Sequence, residues 1–260
     1  MKYKLRHIIK YFTAFSGILF LISSCAITKY VPEDEHLLTK VKINSNTENI
    51  SKQELKSYVR QQENLKVLGF WKLYLRVYNL SGQNEHKKIN RWLRKIGEEP
   101  IIFDSILVER SVSQLQLFLN NQGYYQAEVL DVIHYPTKKR VKVTYNINAG
   151  HRYRIKDVFY KIEDDSLKYL IMSDTANSVL KSGRGFSLNL HDRERERITR
   201  RLNNHGYYAF SKDFIYFNAD SAHANYLVSD TVVVSKPISQ TPKDSEHHSK
   251  YSIREVMFHV

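Results

Sequence analysis

At 260 residues with 42% hydrophobic content, the chain has room for two ordinary domains, each with a core of its own, which excludes a disordered tail. Its 40 Lys and Arg against 27 Asp and Glu give a net charge of +13; Lys2, Lys4, Arg6 and Lys10 precede the first apolar run and leave +9 spread over the rest. Such an excess can draw nucleic acid, anionic lipid or acidic polypeptide, and alone it selects none of them. A single cysteine excludes an internal disulfide and a cysteine-based zinc site, so packing must hold the folded part together.

The N-terminus has the profile of an export leader. Residues 1–10 carry four cations and no acid, and Tyr11 to Ser24 then run without a charge up to Cys25. A bilayer-spanning helix needs roughly 20 apolar residues, so the run is short for a span and suited to a leader. Ile22-Ser23-Ser24-Cys25 resembles the bacterial lipobox, which implies cleavage after Ser24 and acylation of Cys25. Two or three acyl chains, at ~0.8 kcal/mol per buried methylene, anchor a protein for practical purposes permanently. Ala26 and Ile27 follow without an acidic residue, which favours an outer-membrane destination with the folded part facing the periplasm. Residues 25–40 read as a tether.

Val41-Lys42-Ile43 opens the first strand. Residues 65–103 exceed what a small module needs between helices, and they mix Phe70, Trp71, Tyr74, Tyr78, Trp92 and Phe103 with many cations. They read either as an elaboration packed on its own core or as an amphipathic element at a membrane or partner surface. Leu107, Leu115, Phe118 and Leu119 fall near helical spacing, and the helix stops at Asn-Asn-Gln-Gly, with Gly123 just past its end. Tyr124 to Tyr135 and the alternating Val141, Val143, Tyr145 and Ile147 form a hairpin.

The same order then recurs. Leu119-Asn-Asn-Gln-Gly-Tyr-Tyr125 returns further along the chain as Leu202-Asn-Asn-His-Gly-Tyr-Tyr208. The repeated fold motif is therefore Gly123, Tyr124 and Tyr125 with Gly206, Tyr207 and Tyr208, and a period this long means a repeated small domain. Tyr153 to Phe159 is the first strand of the second copy, Leu190, Ile198 and Leu202 mark its helix, and Val232 and Val234 its last strand. A capping-box start at Asn189 and Asp192 is expected, and the charge run Asp192 to Arg201 reads as a solvated face. Residues 239–250 read as a linker, and Tyr251 to Phe258 as the first strand of a third copy. The modules are thus 41–150, with the insertion at 65–103, 151–238, and a start at 251–260.

Each copy reads as β-α-α-β-β in an α+β fold, two helices on one face of a small sheet. This unit resembles the POTRA domain. The tract from Thr28-Lys-Tyr-Val-Pro32 to Gly150, with Leu75 to Leu80, Trp92 to Pro100 and Phe118 to Val129, resembles the N-terminal region of BamA/TamA-type outer-membrane assembly factors of Bacteroidetes-like bacteria. Members of that family continue into a membrane β-barrel that this sequence lacks, so a fragment of a longer protein is expected, with a barrel-less relative whose barrel is a separate chain as the alternative. The resemblance implies a non-enzymatic role: periplasmic binding of unfolded outer-membrane β-barrel proteins and their delivery for insertion, beside a barrel partner.

A sheet edge can accept a client strand through backbone hydrogen bonds with little demand on its sequence. The strands expected to begin at Tyr124 and Tyr207 make Tyr125, Ala127, Val129, Tyr208 and Phe210 the candidate edge residues. A structural scaffold docking envelope partners without touching clients is the alternative. No catalytic or metal-ligating constellation surrounds the scattered histidines, no cofactor is implied, and an exported chain has no use for nucleic acid.

Overall fold

The computed structural model describes residues 27–47, 49–237 and 247–257. The leader, the lipobox residues Ile22, Ser23 and Ser24, Cys25, most of the 239–250 segment and residues 258–260 lie outside them. The chain forms two units, one from residues 1–115 and 129–148, the other from 116–128 and 149–260. The first repeat runs β1 (Leu37–Ser45), α1 (Lys52–Ser57), α2 (Leu73–Leu80), α3 (Lys88–Ile96), α4 (Ser105–Asn121), β2 (Glu128–Thr137) and β3 (Arg140–Asn148). The second runs β4 (Arg154–Ile162), α5 (Asp165–Met172), α6 (Leu188–Asn203), β5 (Ile215–His223) and β6 (Leu227–Val234). Each sheet has three strands with the last strand central, in the orders β1-β3-β2 and β4-β6-β5. The first and central strands run parallel in both.

The α+β architecture and the β-α-α-β-β order are those expected from sequence, and several boundaries move. Residues 27–40 are no loose tether: Val31, Leu37 and Leu38 are buried, and β1 already begins at Leu37. Hydrophobic residues on both sides of the supposed tether boundary are what pull it into the core. Strands β2 and β5 start later than Tyr124 and Tyr207, because each Gly-Tyr-Tyr segment is a turn. The N-cap of α6 is Ser187, one residue before Leu188, with no side-chain cap bond, so Asn189 and Asp192 form no capping box. Tyr251 to Met257 adopt no strand, since among the described residues they have no neighbouring strand to pair with.

The repeated motif has a physical reason. Both helices end in a Schellman arrangement: the Tyr124 N–H donates to the Leu119 carbonyl (2.9 Å) and the Gly123 N–H to Asn120 (2.9 Å), matched by Tyr207 to Leu202 (3.1 Å) and Gly206 to Asn203 (3.1 Å). The glycines take φ of +85° and +94°, which a side chain would strain. Space is denied as well, because a Cβ on Gly123 would come within 2.4 Å of the Phe186 carbonyl oxygen. The first tyrosine of each pair, Tyr124 or Tyr207, enters the core, while Tyr125 and Tyr208 remain exposed. The core of the second unit gathers Ile155, Leu167, Ile171, Ile198, Leu202 and Val232.

The two repeats differ in one insertion. The stretch from Leu38 to Ile101 is more than twice as long as that between their counterparts Ile155 and Arg184, and the extra length holds α2, α3 and the turn Leu68-Gly69-Phe70. Leu75 of this insertion joins Val31 and Leu37 in one cluster, with Ile27 and Ile102 packed against it. It also buries Lys72 at the start of α2, and burial lowers the Lys72 ammonium to about 8, against a partial rescue by Glu63.

The unfolded chain holds that proton up to the ordinary lysine range near 10.5. Between pH 8 and that range the unfolded state therefore binds more protons, and this group raises stability as pH rises. In urea unfolding, Lys72→Met is expected to be more stable than the parent at pH 7, and the gap is expected to shrink by pH 9.5.

Candidate functional site: an open sheet edge and its cleft

Both sheets close one flank with their own chain. In the first, the Leu38 N–H donates to Ile101 (2.9 Å) and the Phe103 N–H to His36 (2.8 Å); in the second, Ile155 donates to Arg184 (2.8 Å) and Phe186 to Tyr153 (2.8 Å). These short bridges form at Ile102 and Gly185, which are related by the same offset that carries Gly123 onto Gly206. Glu63 further accepts the Val41 N–H on the same flank of β1. The beginnings of β1 and β4 are thus bridged, and β2 and β5 are the outer strands on the opposite flank, with no further strand or bridge beside them among the described residues.

The polarity of the β5 edge can be worked out residue by residue. The Ser235 N–H donates to the Phe214 carbonyl (2.8 Å), so position 214 faces β6. Backbone groups alternate in an antiparallel ladder, hence Ile215, Phe217 and Ala219 point away from β6. The Ile215 carbonyl agrees, since it accepts the Arg195 Nε from α6 (2.9 Å). Phe217 and Ala219 then offer the N–H and C=O groups that an added strand would meet.

A cleft of about 470 Å³ runs along this edge, lined by Tyr125, Phe186, His191, Arg195, Tyr216 and Phe217 among others. Its walls are packed rings: His191 lies 4.7 Å from Phe186 in a tilted contact and 4.4 Å from Phe217 edge to face, and Arg195 sits 5.1 Å over the Phe217 ring. Tyr125 reaches the same place through contacts with Tyr153 (5.3 Å) and Phe186 (6.0 Å). Burial there pushes the Tyr125 phenol up, with the Asp230 carboxylate adding to the effect. An aromatic cleft beside free backbone groups suits an extended segment with alternate apolar side chains.

Of the candidate edge residues, Val129 lies in β2 with its side chain buried. Tyr125, Ala127, Tyr208 and Phe210 precede the strands; Tyr125 lines the cleft, Phe210 is buried, and Tyr208 is 82% exposed away from any strand. The charge run of α6 is not simply a solvated face. Glu194 is fully buried, accepts the Val179 N–H (2.9 Å) and pairs with Arg197 (2.7 Å), which also pairs with Asp174.

Sequence reading missed a buried pair at the floor of the cleft. His191 Nε2 lies 2.6 Å from Asp230 Oδ2, its Nδ1 lies 2.9 Å from the Ser187 carbonyl, and both residues are buried. Asp230 Oδ1 has no partner among the described residues. The equivalent positions in the first repeat are Val108, which the offset of the repeated motif carries onto His191, and Val143, which pairs with Val41 as Asp230 does with Val158. A lone carboxylate inside the apolar alternation of β6 was the signal available. Among the described residues no group of three or more His, Cys, Asp or Glu could hold a metal ion.

Residues 37–150 match the family model for POTRA, described as surface antigen variable number repeat. The first repeat is a POTRA domain. A structure of Haemophilus influenzae BamA POTRA3-5 is similar, with 17% identity over 79% of this chain and 69% of that one, at a TM-score of 0.41. POTRA1-2 of Omp85 from Anabaena shares 11% identity over 78% of this chain and 98% of that one, at a TM-score of 0.32. Haemophilus ducreyi BamA lacking POTRA domains 1-3 shares 13% identity over 76% of this chain, which spans 29% of its length, at a TM-score of 0.37. No curated protein matches.

The two repeats predict how the buried pair behaves. Removing one partner leaves the other buried and unpaired, while an apolar pair of the same size is tolerated. Asp230→Val is expected to cost about 3 kcal/mol of unfolding free energy. His191→Val with Asp230→Val, which restores the first repeat's valines, is expected to recover most of that loss in chemical denaturation.

Proposed function

We propose that this chain is the periplasmic, membrane-anchored POTRA region of an outer-membrane protein assembly factor, and that it holds unfolded β-barrel proteins by strand addition. The observation that carries the reading is the β5 edge: outward-facing backbone at Phe217 and Ala219 beside an aromatic cleft, on the flank that the chain leaves uncovered. β2 is the corresponding strand of the first repeat, and two sites on one chain raise avidity through effective concentration. Backbone pairing tolerates varied clients, whereas the cleft favours those with aromatic or aliphatic residues at alternate positions. The export leader and acylation at Cys25 would keep both sites beside the membrane. No step of this role needs bond chemistry, so the protein acts as a binding module and not as an enzyme.

Ala219→Pro tests the edge directly. Proline removes an N–H from the outward side of β5 and leaves the bonds to β6 in place, a position where edge strands accept it. Titrated against a barrel-derived peptide with alternating apolar residues, the variant is expected to bind about tenfold or more weakly, the loss of roughly one to two backbone bonds. Unchanged peptide binding, with affinity retained only for a folded partner, would favour scaffolding instead.

A further inference from the structure

The insertion in the first repeat turns apolar side chains outward. Along α3, Ile89, Trp92 and Ile96 follow one another at helical spacing and are 62%, 57% and 43% exposed. Lys88, Arg91 and Lys95 form an adjacent exposed stripe. The inward side is polar and occupied: Asn90 is buried and bonds Gly82 and Asn84, and Arg94 reaches Ser81 and lies 5.3 Å over the Tyr30 ring. A helix with its polar side inward and its apolar stripe outward is reversed relative to a helix covering a core. At the turn before α2, Leu68 and Phe70 are 80% and 75% exposed, and Leu68 holds a φ of +54°, which an apolar branched residue adopts only under constraint.

The N-terminal residues are fastened to the same insertion. The Asn79 side-chain amide donates to the Ile27 carbonyl (3.1 Å), and Lys29 Nζ donates to the carbonyls of Asn79 (3.0 Å) and Ser81 (2.7 Å). Residues 27–30 are thereby fastened to the end of α2 and the start of the α2–α3 connection. Only Ala26 separates Ile27 from Cys25, and a step of two positions spans at most about 7 Å. Residues 65–103 carry eight Lys and Arg against three acids. Whether the chain is held through acyl groups on Cys25 or through the apolar run ending at Ser24, the attachment precedes by only a few residues the segment that is bonded to this insertion.

We propose that the insertion is a membrane-contact element: α3 lies on the bilayer that anchors the chain, with Ile89, Trp92 and Ile96 at the acyl boundary, Lys88, Arg91 and Lys95 on anionic headgroups, and the Leu68–Phe70 turn as a second apolar foot. The assignment rests on the reading of the chain as exported and anchored at its N-terminus. Its consequence is that the first repeat is held at the membrane surface by two attachments and not by a free tether.

The test uses residues 25–260 with Cys25→Ser, made without leader or lipid; among the described residues, those buried in both units lie from Val31 onward. Its co-sedimentation is measured with vesicles of phosphatidylethanolamine and phosphatidylglycerol and with vesicles of phosphatidylcholine alone. Association with the anionic vesicles is expected, weakened about fivefold for each of Lys88, Arg91 and Lys95 changed to Gln, and at least tenfold by Ile89→Ser with Trp92→Ser. Circular dichroism checks that these exposed substitutions leave the fold intact. Failure of the unacylated chain to bind anionic vesicles, or binding that both sets of variants leave unchanged, would overturn the proposal. Acylation of Cys25 is read separately from the mass of the intact chain extracted from membranes, so loss of the lipid reading and loss of the contact reading give different results.

Discussion

The backbone bonds from residues 101–103 to the start of β1, and from 184–186 to the start of β4, decide which flank of each sheet remains open. A three-stranded sheet has two outer strands, and exposed backbone on both would be an invitation to uncontrolled pairing. By bridging the start of the first strand, the chain satisfies part of that edge internally and leaves β2 and β5 as the unbridged edges. The parallel pairing of first and last strands makes this possible, because the helices of each repeat form the crossover that returns the chain to the sheet.

The Schellman stops tie the repeats to that arrangement. Gly123 ends α4, and its carbonyl accepts the Tyr153 N–H (2.9 Å) at the entry to β4; Gly206 ends α6, and its carbonyl accepts the Tyr251 N–H (2.7 Å). The same turn therefore closes one helix and receives the chain that follows. It also delivers Tyr125 to the cleft beside β5, so the exposed tyrosine of the first motif serves the site of the second repeat. A fold determinant and a lining residue come from one heptapeptide.

Much of this is legible in the sequence because it is local. The six identities between the two heptapeptides, the glycine stops and the alternation of Val141, Val143, Tyr145 and Ile147 reveal the repeat, the element order and the fold class. What stays hidden depends on partners distant in sequence. The burial of Glu194 needs Val179 and Arg197 around it, and the His191–Asp230 pair joins α6 to the central strand across the intervening hairpin. Sequence pattern places the edge residues too early because Tyr124 and Tyr207 look like strand residues, yet the helix-stop geometry extends through them as a turn. Residues 65–103 cannot be assigned from pattern alone, since an apolar stripe reads the same whether it faces a core or solvent; only the inward placement of Asn90 and Arg94 distinguishes the two.

Hydrogen–deuterium exchange of the chain with and without a barrel-derived peptide tests the central claim most directly. Strand addition at β5 predicts slowed exchange at the Phe217 and Ala219 amides, with the Ile155 and Phe186 amides at the start of β4 unchanged because they are already bonded. Protection confined to the helices, or peptide binding with no change at Phe217 and Ala219, would contradict it.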